Sequence, residues 1–169
     1  MSDRSKYWCH GVNVQVQFTK EYPSTDFAGE PDAGTPVAIV RNSSGTTIRQ
    51  NGNGRGGRTS NWFHFAIPTP TQLVDRDVEV WNAYLKGEIN GQATIASVHI
   101  YMGGAPEKQR IHQENDLSLS ARTLDERYDI SDRQCTAPLI ICIKALFEDN
   151  GEVIFAGAGA QIVGPESGG

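Results

Sequence analysis

Apolar residues along this chain recur at every second position, and no segment sustains the three-to-four spacing of an amphipathic helix. In Val12-Asn13-Val14-Gln15-Val16-Gln17-Phe18, the valines and Phe18 fall on one face and the amides on the other. That alternation predicts a strand half-buried against a core, with a solvated outer face. Residues 37–41 and 46–49 read as two short strands around the turn residues Asn42-Ser43-Ser44-Gly45. Residues 62–67 read as a strand that sends Phe63, Phe65 and Ile67 one way and Trp62, His64 and Ala66 the other. Pro68 and Pro70 have no N–H to donate, so pairing is expected to stop there.

Residues 78–85 and 93–101 are two further expected strands, separated by Ile89-Asn90-Gly91-Gln92. Asn-Gly supplies the positive φ angles of a tight turn, so this dipeptide predicts a hairpin. Asn150-Gly151 predicts a second hairpin, joining residues 139–147 to 153–163. Leu139-Ile140-Ile141-Cys142-Ile143 is apolar on both faces and is expected to be a central strand. Thr123-Leu124-Asp125-Glu126 has the capping-box pattern and predicts one helical turn at most. Residues 19–36 are expected to be a loop, residues 50–60 a flexible Gly/Arg connection and residues 164–169 a frayed tail. The expected fold is all-β: one domain over residues 1–169, an antiparallel β-sandwich of jelly-roll-like type.

Composition narrows the function classes. At 169 residues and 38% hydrophobic content, the chain can bury one ordinary core. A net charge of −5 argues against a general nucleic-acid binder, which needs clustered cations. No apolar run reaches the roughly 18 residues of a membrane helix. Met1-Ser2-Asp3-Arg4-Ser5-Lys6 lacks the apolar core of a secretory signal. Three cysteines, Cys9, Cys135 and Cys142, with no C-x-x-C spacing fit neither a disulfide scaffold nor a zinc site. Cys142, inside an apolar run, is expected to be a buried, inert thiol, and a cytoplasmic location follows.

The run Asn61-Trp62-Phe63-His64-Phe65-Ala66-Ile67-Pro68-Thr69-Pro70 resembles the N-W-F-H-x-x-I-P-T-P signature of a family of small, uncharacterised bacterial β-sandwich proteins. Trp8-Cys9-His10-Gly11, Val98-His99-Ile100-Tyr101, Leu117-Ser118-Leu119-Ser120 and Phe155-Ala156-Gly157-Ala158-Gly159-Ala160 follow the same order. The resemblance spans most of the chain and implies a sandwich fold. It implies no reaction, because that family is a domain of unknown function. The Gly/Arg loop and Cys135-Thr136-Ala137-Pro138 depart from its pattern.

Candidate chemistry is sparse. His10, His64, His99 and His112 show no metal-ligand spacing, so no metal and no cofactor are expected. Asp75/Asp77 and Asp125/Glu126 are acid pairs that read as solvated turns rather than calcium sites. Nucleophile elbows and phosphate loops are missing from the sequence. Arg49, Arg55 and Arg58 among glycines suggest single-strand RNA contact, but a soluble loop tip explains them better. Trp8, Trp62 and Trp81, with Tyr84 and Tyr101, have the composition of a sugar-stacking platform. Ala156-Gly157-Ala158-Gly159-Ala160 strips a strand of bulk and admits a close neighbour: a facing sheet, a ring, a ligand or a second subunit.

The expected function is therefore a non-catalytic module that binds a ligand or self-assembles. Its ligand-binding residues would be Trp62, His64, Trp81, Tyr84 and Tyr101. The expected partners are a carbohydrate or small apolar ligand and further copies of the chain, with no membrane and no nucleic acid. The alternatives are a cyclase- or isomerase-type enzyme using His64, His99 and Tyr101, and a nucleic-acid accessory protein using the Gly/Arg loop.

Overall fold

Residues 79–102, expected as two strands around a hairpin turn, run as one strand 24 residues long. The computed structural model describes residues 4–17, 37–50, 59–73, 76–103, 108–148 and 150–164. The strands among them are β1 (Arg4–His10), β2 (Gln15–Val16), β3 (Val37–Asn42), β4 (Gly45–Gln50), β5 (Thr59–Ile67) and β6 (Gln72–Leu73). They continue with β7 (Arg76–Asp77), β8 (Glu79–Met102), β9 (Gln109–Glu114), β10 (Leu119–Gln134), β11 (Leu139–Phe147) and β12 (Glu152–Val163). All except β6 and β7 join one antiparallel sheet, so the all-β expectation is borne out.

Neither Asn-Gly pair makes a hairpin. β11 and β12 do not pair with each other but lie end to end along β8. Leu139 faces Met102 and Phe147 faces Ala93; beyond the bend, Glu152 faces Asn90 and Val163 faces Glu79. Both dipeptides occupy one shared bend in this two-stranded spine. Gly91 has φ 58° and Asn150 has φ 59°, the left-handed conformation that Asn-Gly supplies. The Glu148 N–H donates to the Gln92 carbonyl at 2.8 Å, and the Gly151 N–H to the Glu148 carbonyl at 2.7 Å. A Cβ on Gly91 would strike the Asn150 carbonyl, and one on Gly151 would stand 2.7 Å from the Gln92 carbonyl. The turn chemistry was read correctly, but its partner was not. A hairpin needs its two flanks to pair with each other, and here each flank pairs with the distant strand instead.

The bend folds one sheet onto itself. Above it, β8 lies between β10 and β12, with β1 and β4–β3 beyond β12. Below it, β8 lies between β9 and β11, with β5 and β2 beyond β11. The two halves meet through phenylalanines. Phe155 of β12 packs against Phe63 and Phe65 of β5 at centroid distances of 5.4 and 5.6 Å, and Phe63 meets Phe147 edge-on at 6.1 Å. All four rings are fully buried, in tilted or edge-to-face geometries that aromatic quadrupoles favour. The alternation read from residues 62–67 thus holds, β5 stops at Ile67 before Pro68, and β11 is a central strand between β5 and β8.

Three other expectations need correction. Residues 12–17 do not run as one strand, and Phe18, the end of that expected strand, lies outside the described residues. Gly11–Asn13 form a 3-10 turn, capped where the His10 Nδ1 accepts from the Val12 N–H at 3.2 Å, and only Gln15–Val16 pair. Val14 still points inward and Gln15 outward, so the burial pattern survives the loss of the strand. Thr123–Glu126 starts no helix; it lies inside β10. Leu124, Tyr128 and Ile130 alternate toward the core, and the ladder with β8 takes the backbone donors that a cap would have taken. β1, β9 and β10 were not anticipated as strands. Of the expected 50–60 connection, Gln50 ends β4 and Thr59 and Ser60 open β5, while residues 19–36, 51–58, Asp75 and residues 165–169 of the expected tail lie outside the described residues.

Because Phe155 joins the two halves, Phe155→Ala should cost about 3–5 kcal/mol in urea unfolding. Val40→Ala, on edge strand β3 at 51% exposure, should change stability by less than about 0.5 kcal/mol. Equal effects at the two positions would contradict this packing.

Candidate functional site

Each half of the folded sheet has an outer face, and the residues expected to bind ligand divide between them. On the lower half, a single row crosses five strands: Gln15, His64, Cys142, His99 and Gln113. Trp62 and Tyr101 stand on the same face, on either side of that row. His64 Nε2–H donates to Gln17 Oε1 at 2.9 Å, which leaves Nδ1 to accept from the Cys142 thiol at 3.0 Å. The His99 ring lies 4.9 Å from Trp62, its Nε2 is held by Asn115 Oδ1 at 2.8 Å, and its Nδ1 is 3.4 Å from the Tyr101 hydroxyl. Lys108 Nζ sits over the Tyr101 ring at 3.6 Å.

A cysteine beside a histidine invites a nucleophile reading, and the electrostatics oppose it. Burial, with the Lys108 charge adding to it, lowers His64 to about 4. Burial raises the Cys142 thiol to about 11, against a smaller opposite pull from Lys108. Imidazole and thiol are both held neutral, the reverse of the thiolate–imidazolium pair that a cysteine nucleophile needs. Cys142 is the buried, inert thiol expected of it. His64 and His99 stand on the outside of the sheet rather than between its halves. His10 caps a turn, and His112 packs against Tyr128 and Glu114. Among the described residues, no three His, Cys, Asp or Glu side chains gather as a metal site.

The upper face is built differently. β12 crosses its centre with Gly157 and Gly159 facing outward, while Ala158 and Ala160 are fully buried beneath. The Ala-Gly alternation therefore serves two surfaces: alanines for the core and a bare floor outside. Side chains from the flanking strands β1 and β8 meet over that floor. Trp8 is opposite Gly159, which is opposite Tyr84. The Trp8 and Tyr84 rings are 5.7 Å apart and 33° from parallel. A Cβ on Gly159 would lie 2.8 Å from the indole and 2.6 Å from the Tyr7 carbonyl, so only glycine allows this seat. Cations edge the rings: Arg4 over Trp81 at 4.9 Å, Lys6 over Tyr84 at 4.6 Å and Lys86 at 5.8 Å from Trp8.

Beneath the cations lies a fixed polar network. Arg127 Nε donates to Asn82 Oδ1 at 2.7 Å, and Asn82 Nδ2 and the Tyr84 hydroxyl both donate to Gln161 Oε1 at 2.9 Å. Trp81 is tethered through Nε1 to Glu79 at 3.2 Å. Trp81 and Tyr84 thus belong to this face, and Trp62, His64 and Tyr101 to the other. Sequence reasoning placed Trp8 among the platform aromatics but not among the binding residues. The signal that could have promoted it was the outward glycine pair, which needs a ring to cover it.

The described members of the acid pairs are engaged with neighbours. Asp77 accepts from Gln134 at 2.7 Å, Asp125 pairs with Lys86 at 3.0 Å and Glu126 lies 2.9 Å from Arg122. A hollow of about 260 Å³ beside the bend is lined by Glu88, Ile89, Asn90, Gly91, Arg122 and Thr123, none of them an expected binding residue. Among the described residues no helix is long and apolar enough to cross a membrane.

A family of unknown function, DUF6623, matches residues 1–153. The chain belongs to the DUF6623 family. No curated protein matches it. Membership agrees with the resemblance drawn from the Asn61–Pro70 run insofar as both point to an uncharacterised domain. For this DUF6623 chain, chemistry has to be read from the two faces themselves.

The lower face makes a pH-dependent contribution. The folded His64 titrates near 4, below its ordinary value of 6.5, so the unfolded chain binds the extra proton between those values. The stability His64 contributes is whole above pH 6.5 and is lost as pH falls toward 4. Unfolding free energies measured from pH 7 to 4 should show that loss, and His64→Gln should flatten it. A parallel fall in wild type and variant would contradict the assignment.

Proposed function

We propose that this chain is a non-catalytic binding module that takes a saccharide on its upper face, with Trp8 as the stacking plane. The observation that carries the reading is the seat of Trp8. It is 41% exposed, and Val40 is the one other large hydrophobic side chain exposed among the described residues. An indole packed between sheets would be buried; this one lies on the outside, flat on a glycine floor. The floor and Tyr84 hold the ring in place, so binding would forfeit little side-chain freedom. A sugar ring has an apolar face of C–H groups and a hydroxyl rim. The first suits an indole, and the second suits the amide, phenol and ammonium groups beside it.

The enzyme alternative has less support, since His64 and Cys142 are held neutral and His99 is tied to Asn115 and Tyr101. The nucleic-acid alternative rests on residues 51–58, outside the described residues. We also place the module in a reducing compartment, because Cys9, Cys135 and Cys142 are all buried free thiols.

A glycan array followed by calorimetry should find a saccharide ligand, and Trp8→Ala should weaken it by about tenfold or more while leaving thermal unfolding nearly unchanged. Light scattering on the same samples provides the contrary result. A dimer that depends on Trp8, in a protein that binds no glycan, would move this face to self-association.

A further inference from the structure

We infer that the saccharide is anionic: a chain bearing carboxylates, such as a uronic-acid oligosaccharide. This rests on the saccharide reading of the upper face. It comes from how the cations there are compensated. Lys86 has a carboxylate partner in Asp125, and Arg127 is engaged with Asn82. Arg4 and Lys6 are exposed and meet no carboxylate among the described residues; each touches an aromatic face instead. Two cations with no ion-pair partner among the described residues stand out on a protein of net charge −5, and the carboxylate nearest them along the face, Glu79, is bonded to Trp81.

Geometry places that charge where a bound sugar would sit. Lys6 and Trp8 alternate on β1, so they project from the same face two residues apart, and Tyr84 contacts both. A pyranose stacked on Trp8 would bring a ring carboxylate toward Lys6, and the next unit along β1 would reach Arg4. The same arrangement disfavours single-stranded nucleic acid. Successive bases need successive free ring faces. On this surface each ring already meets a cation, Arg4 on Trp81 at 4.9 Å, Lys6 on Tyr84 at 4.6 Å and Lys86 more distantly on Trp8 at 5.8 Å, and Trp8 is the ring left 41% exposed. One stacking plane with flanking cations fits an acidic sugar better than a run of bases.

The test is a calorimetric titration of the full chain with three probes of matched length: a neutral glucan hexamer, a galacturonate hexamer and oligothymidylate. At about 20 mM salt the galacturonate should bind about tenfold tighter than the glucan, and the advantage should fade by about 500 mM salt as exposed charges are screened. The double variant Arg4→Gln, Lys6→Gln should lose that advantage, its affinity falling further for the galacturonate than for the glucan, while keeping its melting temperature. Equal affinity for the two sugars, or tighter binding of the thymidylate, would overturn the inference and leave the saccharide reading to stand or fall by Trp8. Binding of neither sugar would sink the saccharide reading first, and this inference with it.

Discussion

The architecture depends on the contact between two Asn-Gly dipeptides that lie sixty residues apart in sequence and back to back in space. A long antiparallel ladder twists gently but does not fold over by itself. To place one half of β8 above the other, both strands of the spine have to turn at the same level. Gly91 and Asn150 adopt left-handed φ at that level, and each dipeptide abuts a carbonyl of the opposite strand. The hydrogen bonds from Glu148 and Gly151 keep the backbone satisfied through the turn. Phe155, just past the bend, then comes down on Phe63 and Phe65.

Two outer faces follow from that bend, and their chemistry differs because β11 and β12 differ at the centre of each. β11 puts Lys144, Cys142 and Ile140 outward, so the lower face is filled and its histidines are engaged with neighbours. β12 puts glycines outward, so the upper face has a trough into which flanking strands lean. A binding surface needs an exposed group held still without its own backbone being strained, and a ring resting on glycine meets that need. The small-residue strand is therefore neither a sheet-to-sheet contact alone nor bare surface. Its alanines belong to the core and its glycines to the candidate site.

Much of this was legible in the sequence wherever one face is simply wet and the other dry. The inward set Phe63, Phe65 and Ile67, the stop at Pro68 and the centrality of residues 139–143 all follow from period-two burial. Asn-Gly was legible as positive φ but not as a bend, because the pattern within about ten residues cannot say whether a flank pairs with its neighbour or with a strand far away. β10 was hidden for a related reason. Glu126 interrupts its inward row, and the cap-like Thr123-Leu124-Asp125-Glu126 outweighed a pattern carried only by Leu124, Tyr128 and Ile130. At the site, the aromatic residue types were visible, but their division between faces depends on strand register, which no local signal contains.

The central claim is that the two Asn-Gly sites form one bend rather than two hairpins. A double-mutant cycle on Gly91→Ala and Gly151→Ala, read by urea unfolding, tests it most directly. Two residues in one shared bend should be coupled. The double variant should lose less than the sum of the singles, by about 0.5–3 kcal/mol, since the second methyl enters a bend already relaxed by the first. Additivity to within about 0.5 kcal/mol would mean the two turns do not touch, and the folded spine would be wrong.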